Sequence, residues 1–344
     1  MNRKSFLHQA GMFLAATALP AKLLQANTAF RKPSKLVIPP YLKKGDTIGI
    51  TSPAGYILEN DIRSAVQQIT SWGFQVEVGK TIGTKDGSLG GTDAARCADF
   101  QQMLDNKNIK AILCARGGYG VVRIIDQLDF SRLRTHPKWI IGFSDITVLH
   151  CHINRNHQVA TIHSKMCNSF PSDWSKADPI QVETILSLQK ALSGEKMQYV
   201  APYNINNHSG KVTGQLVGGN LRTIENLADT KSDLYLANKI LFLEDVHEPL
   251  YNIDRMFWSL KRTGKLQQLK GLIIGGFSVK ADPDPADEFS KDVYAIVQEK
   301  VKNYKYPVCF DFPVGHQRNN FALKCGLTHR LTVGEAGTTL EERG

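Results

Sequence analysis

Three side chains in this sequence have the chemistry to attack an acyl group together: a serine at a strand-to-helix bend, a histidine on a rigid loop and a carboxylate ending an apolar run. The serine is Ser144, in KWIIGFSDIT. A Ser-Asp pair after an apolar run is an ordinary helix N-cap. It is also how a nucleophile is held on a tight turn, although Ile146 stands where a hydrolase elbow carries its second glycine. A serine nucleophile needs a base. Among ten histidines, His316 closes YPVCFDFPVGH on a loop set by a strand, and His163 ends the short strand VATIH. The carboxylate is Glu244 in KILFLEDVHE, where an acid is costly unless paired. Asp245 and Glu248 are nearby alternatives. Side chains alternate along a strand, so only one of Glu244 and Asp245 is expected to face the site.

Negative charge developing on an acyl oxygen needs fixed donors. The stretch RGGYG, Arg116 to Gly120, has glycine at 117, 118 and 120, which leaves backbone N–H groups uncovered. It is either a tight turn or a donor loop, and in a parallel sheet it would open on the same edge as Ser144. Arg116 and Tyr119 of this loop, and Asn220 of GGNL, are candidate substrate contacts. A nucleotide site is not expected. TSPAGY supplies one glycine where the dinucleotide fingerprint needs three, and no Walker pattern occurs, although Glu77 falls where a ribose-binding acid would. His150, His152 and His157 of HCHINRNH are poor metal ligands, because only His150 and His157 share a helical face and carboxylates are scarce around them. Neither cofactor nor metal is expected.

These residues need elements to position them. From Gly45 to about Ile162, short apolar strands (DTIGIT, FQVEV, IKAILCA, KWIIGF) alternate with helical patterns (NDIRSAVQQITSWG, ARCADFQQMLD, VVRIIDQL, TVLHCHIN). That rhythm predicts an α/β fold with a parallel sheet covered on both faces and a site beyond the strand C-termini. Residues 34–165 are read as this N-terminal domain, 166–209 as a linker with one helix, and 210–335 as a smaller C-terminal mixed α/β domain, with the site in the cleft between the two.

The 344 residues carry a formal charge of +10, with basic residues dispersed rather than blocked, which argues against nucleic acid as a partner. The N-terminus, MNRKSFLHQAGMFLAATALPAKLLQA, is basic, then apolar, then small. It predicts a signal peptide over residues 1–29 and export to the periplasm, by a general secretory or twin-arginine-like route. The apolar run is too short for stable membrane insertion. The six cysteines are spaced irregularly in or near apolar runs, which predicts buried thiols rather than a disulfide framework.

RGGYG, GFSDIT, GGNL, LFLEDVHEPLYNIDRMFWSL and FPVGH, in this order and spacing from about Leu36 to Val333, resemble the LD-carboxypeptidases, a family of serine peptidases that includes murein tetrapeptide carboxypeptidases and microcin-immunity peptidases. The resemblance implies Ser144 as nucleophile, Glu244 as acid and His316 as base. It implies oxyanion donors at the N–H groups of Gly118 and Asp145. It also implies a flavodoxin- or amidotransferase-like N-terminal domain, no metal, a homodimer, and release of the terminal D-alanine from peptidoglycan tetrapeptide stems. Cleavage of peptidyl-nucleotide or other amide conjugates, or an inactive wall-fragment binder, are the alternatives. One departure stands out: members often follow the histidine of the fifth strand with glycine, where this chain has His163-Ser164-Lys165.

Overall fold

The computed structural model describes residues 35–281, 284 and 289–343. The expected signal peptide lies outside them. Among the described residues, no helix is long and apolar enough to cross a membrane.

The alternating pattern of the first half folds as expected. Strands β1 (Thr47–Thr51), β2 (Gln75–Val78), β3 (Ile109–Cys114), β4 (Trp139–Gly142) and β5 (Thr161–His163) pair in parallel. Helices α1 (Glu59–Ser71), α2 (Asp93–Asp105) and α4 (Thr147–His157) cover them, while the VVRIIDQL stretch makes only a short α3 (Val121–Ile124) and a 3-10 turn. Local chemistry sets these bounds. Ile62, Ala65 and Ile69 give α1 one buried stripe, and Gly73 ends it at a φ of +90° that favours glycine. Period-2 alternation in β3 sends Ala111 and Leu113 to one face and Ile112 and Cys114 to the other, each into a different apolar cluster.

The second half builds a second sheet. Strands β7 (Gly210–Asn220), β8 (Lys239–Glu248), β9 (Gly271–Val279) and β10 (Val308–Cys309) are parallel, and β12 (Thr328–Gly334), β13 (Gly337–Glu342) and β6 (Gln198–Ala201) extend the sheet antiparallel. Helices α6 (Leu221–Asn226), α7 (Leu250–Arg262) and α8 (Val293–Val301) accompany it. Burial of Ile253, Met256, Phe257 and Leu260 gives α7 a helix-period stripe.

The stretch read as a linker carries regular structure of its own. Residues 166–209 carry helix α5 (Pro179–Ser193), capped by Asp178 and stopped at Gly194, with Ile185, Leu188, Ala191 and Leu192 buried. The same stretch supplies β6, an edge strand of the second sheet. Strand β11 (Leu323–Cys325) returns from the C-terminal half to pair antiparallel with β5 of the first sheet. Each apolar cluster runs through both halves: one joins Ile112 to Leu241 and Phe257, the other joins Leu113 to Leu188 and Phe242. The described residues from Leu36 onward form one compact unit. Sequence periodicity locates elements but cannot say that their apolar faces share a core. All six cysteines are free, five of them buried.

Candidate active site

Ser144 follows β4 after one residue, Phe143, and opens a 3-10 turn, Ser144–Ile146, that leads into α4. Its φ is +62°, a left-handed conformation unusual for a residue with a Cβ. Such strain persists only where the surroundings fix it, and it clusters at functional sites. Here the supports are identifiable. The Gly142 carbonyl accepts from Ser164 N–H at 3.2 Å and meets the His150 Nε2 at 2.9 Å, so the strand end cannot relax the turn. An ordinary N-cap needs neither the strain nor the bracing. Ser144 is thus both the start of the turn and its most strained residue.

The glycine loop lies against it. A Cβ at Gly117 would stand 2.9 Å from Ser144 Cβ, so only glycine admits this approach. The Gly117 carbonyl accepts from Gly55 N–H at 2.9 Å. Because the peptide is planar and trans, that bond turns the Gly118 N–H the opposite way. Gly118 itself has a φ of +102°. Two charged side chains hold the loop, and one of them, Arg96, is absent from the sequence-derived set. Buried Arg96, on α2, donates to the carbonyls of Gly120 (2.8 Å), Pro53 (2.5 Å) and Gly91 (3.2 Å) and pairs with Asp93. Asp145 turns its carboxylate to the N-terminus of α3, accepting from Val121 N–H at 2.9 Å and from Gly120 N–H. Burial pushes the Asp145 carboxyl up to about 6, against the pull of Val121 N–H, the Arg96 charge and Gly120 N–H. The sequence points to the Asp145 backbone; its side chain matters as much, because it ties the Ser144 turn to the glycine loop.

Glu244, on β8, is fully buried. Its Oε2 accepts from His316 Nδ1 at 2.5 Å and from the His316 backbone N–H at 3.2 Å. Burial lowers the His316 pKa, but the hydrogen bond and charge of Glu244, with the charge of Asp245, outweigh it, and the net shift is upward. The His316 ring centroid lies 4.9 Å from that of Phe143, the residue before Ser144, so acid, base and serine meet at one edge of the sheets. No hydrogen bond joins Ser144 Oγ to His316 among the described residues; bonds of this kind commonly tighten when substrate is held. His163, the competing base, is buried between Phe143 and Phe242. Burial, with the His150 and His316 charges, holds its pKa well below the usual value.

Both neighbouring acids reach the site, which corrects the expectation that only one could. Glu244 backs His316, while Asp245 lines a cavity of about 420 Å³ beside Ser144, with Gly118, Tyr119, Asn220 and Glu248. Alternation along β8 holds; the site simply meets the strand from both sides, and a register irregularity between Leu243 and Asp245 accompanies it. Asp245 accepts from Asn220 Nδ2 (2.8 Å) and Arg222 N–H (2.9 Å), and Glu248 pairs with Arg222 at 2.7 Å. Asn220 lines the cavity, but its amide also caps α6. Tyr119 is exposed on the cavity wall. Arg116 lies outside this lining, donating to the Tyr56 carbonyl at 3.0 Å. His152 bonds Ser232, and His157 packs on Phe130. Another cavity, of about 550 Å³ at Thr47, Gln75 and Asn108, sits at the opposite strand ends and has no nucleophile beside it.

Comparison with known proteins gives the family. Residues 48–164 match the LD-carboxypeptidase N-terminal domain, and residues 213–331 match the LD-carboxypeptidase C-terminal domain. The chain belongs to the LD-carboxypeptidase family. It is 31% identical to the "Probable murein peptide carboxypeptidase" of Bacillus subtilis, over 88% of this chain and 94% of that one. The murein tetrapeptide carboxypeptidase of Pseudomonas aeruginosa is 28% identical, over 82% and 91%. Among solved structures, an MccF-like protein from Bacillus anthracis superposes with a TM-score of 0.77 at 25% identity, covering 89% of this chain and 99% of that one. The family assigns the chain to the serine-type carboxypeptidases.

Gly315 carried a readable signal, standing between an apolar run and His316. A Cβ there would lie inside contact distance of Glu244 Cβ, and its φ is +101°, so glycine is what lets the histidine loop reach the acid. Arg96 carried none. Because Glu244 favours the cationic imidazole, the pair stabilises the folded chain most at low pH, a contribution lost as pH rises through the raised His316 value. Histidine NMR should place the His316 midpoint above the ordinary 6.5. In Glu244→Gln, where burial is no longer opposed by a full charge, it should fall. An unmoved midpoint would uncouple the two residues.

Proposed function

We propose that the protein is an exported LD-carboxypeptidase that releases the terminal D-alanine from the tetrapeptide stem of peptidoglycan. The observation that carries the reading is the Glu244–His316 pair set beside a strained serine turn and a glycine donor loop. Ser144 Oγ attacks the carbonyl of the diamino acid's L-centre while His316 takes its proton. Glu244 fixes the ring through Nδ1 and stabilises the imidazolium. The N–H groups of Gly118 and Asp145 receive the oxyanion. Collapse of the tetrahedral intermediate passes the proton from His316 to the departing amine of D-alanine and leaves a Ser144 ester. Water, deprotonated by the same histidine, then frees the shortened stem.

The test is incubation of purified protein with a tetrapeptide stem, read by mass spectrometry as loss of one alanine. Ser144→Ala should lower turnover by several orders of magnitude, and Glu244→Gln by roughly a thousandfold with the fold intact by circular dichroism. Asp245→Asn should cost much less, since an amide retains an acceptor for its backbone partners. Near-normal turnover in Glu244→Gln would remove the acid from the mechanism. A second reading, cleavage of an amide conjugate of another kind, is supported by the likeness to an MccF-like protein; a stem peptide left intact while such a conjugate is cleaved would select it.

Export rests on the basic-then-apolar start of the chain. N-terminal sequencing of the native protein should return a first residue between about Lys22 and Lys32. Met1 recovered from the cytoplasmic fraction would overturn it.

A further inference from the structure

A carboxypeptidase must tell a chain end from a chain interior, and the chemical difference is one carboxylate. That carboxylate lies a single residue, about 3.8 Å of Cα spacing, past the bond that is cut. A cation that reads it must therefore come from a segment touching the nucleophile turn or the donor loop.

Six basic side chains sit on or beside such segments, and five are engaged. Arg96 is held by three carbonyls and Asp93, and Arg123 is paired with Asp93. Arg116 donates to Tyr56 O and lies over the Tyr56 ring. Arg222 is paired with Glu248, and Arg318 is paired with Asp178. The sixth is Lys165. Its neighbours tie it to both halves of the machinery: Ser164 N–H bonds the Gly142 carbonyl at the foot of the serine turn, and buried Met166 brings its Cε to 3.3 Å from where a Gly117 Cβ would stand. The backbone at Lys165 thus crosses from the nucleophile turn to the glycine loop over the ends of β4 and β3. Asn168 N–H then bonds Ala115 O just ahead of that loop.

Lys165 is half-buried and has no hydrogen-bond or ion-pair partner among the described residues. Burial alone lowers its pKa, with no carboxylate opposing the shift. A partly desolvated ammonium without a counter-charge is costly, and an arriving carboxylate would relieve that cost.

We propose that Lys165 binds the free terminal carboxylate of the substrate, on the leaving-group side of Ser144. The assignment rests on the carboxypeptidase reading above. A charge-assisted bond of this kind changes affinity by roughly ten- to a hundredfold.

The experiment compares two tetrapeptide stems that differ only in the last group, a free acid or a primary amide, with wild-type, Lys165→Met and Lys165→Arg enzymes. The wild type should prefer the acid by tenfold or more in KM. Lys165→Met should lose that preference through KM, with kcat on the acid within about threefold, and Lys165→Arg should keep most of it. Equal cleavage of acid and amide by the wild type overturns the assignment without recourse to any variant. So does a preference that survives in Lys165→Met and disappears in Arg116→Met, which would move the carboxylate site to the glycine loop. If the wild type cleaves neither peptide, the carboxypeptidase reading falls and this assignment with it.

Discussion

A carboxylate with no solvent exposure must be met by donors, and for Glu244 those donors come from one residue. Oε2 takes both the ring and the backbone N–H of His316, while Oε1 has no partner among the described residues. Removing the partner of a buried charge typically costs about 3–5 kcal/mol. That constraint reaches through the fold. It requires β8 to carry its acid within the buried part of the strand, and the loop after β10 to approach closely enough that residue 315 can only be glycine. It also sets the orientation and basicity of the imidazole. Stability and chemistry at this point depend on the same two bonds.

The opposite side of the site is held by different means. Ser144 is strained, and strain lasts only when its neighbours cannot move. His150 and Ser164 N–H fix the carbonyl of Gly142, Gly117 presses on the serine Cβ, and the Asp145 carboxylate clasps the start of α3. Arg96 then gathers three loops that would otherwise be independent, those at Pro53, Gly91 and Gly120. Because these supports are buried hydrogen bonds and one close contact, the glycine loop and Ser144 are positioned as one piece.

Much of this was legible beforehand. Period-2 and helix-period patterns locate β1 to β5 and their helices, and Ser144, Glu244 and His316 stand out because each ends an apolar run where a polar side chain needs a reason. What sequence could not give is how the apolar faces combine. Residues 166–209 read as a linker because polar and aromatic residues interrupt the rhythm; the structure uses α5 and β6 to join the two halves. Arg96 looked like any helical arginine, since its three carbonyl partners are far apart in sequence. Alternation in β8 was read correctly for direction and wrongly for consequence, because a site wrapped around a strand end can use both faces.

The central claim is that Ser144 forms a covalent ester with the shortened peptide. Rapid quenching of the wild-type enzyme with a tetrapeptide stem, followed by intact-mass analysis and peptide mapping, tests it most directly. The expected result is an adduct of the stem lacking one alanine, mapped to Ser144 and formed together with a burst of D-alanine. A burst of D-alanine with no adduct, or an adduct on a different residue, would contradict the account.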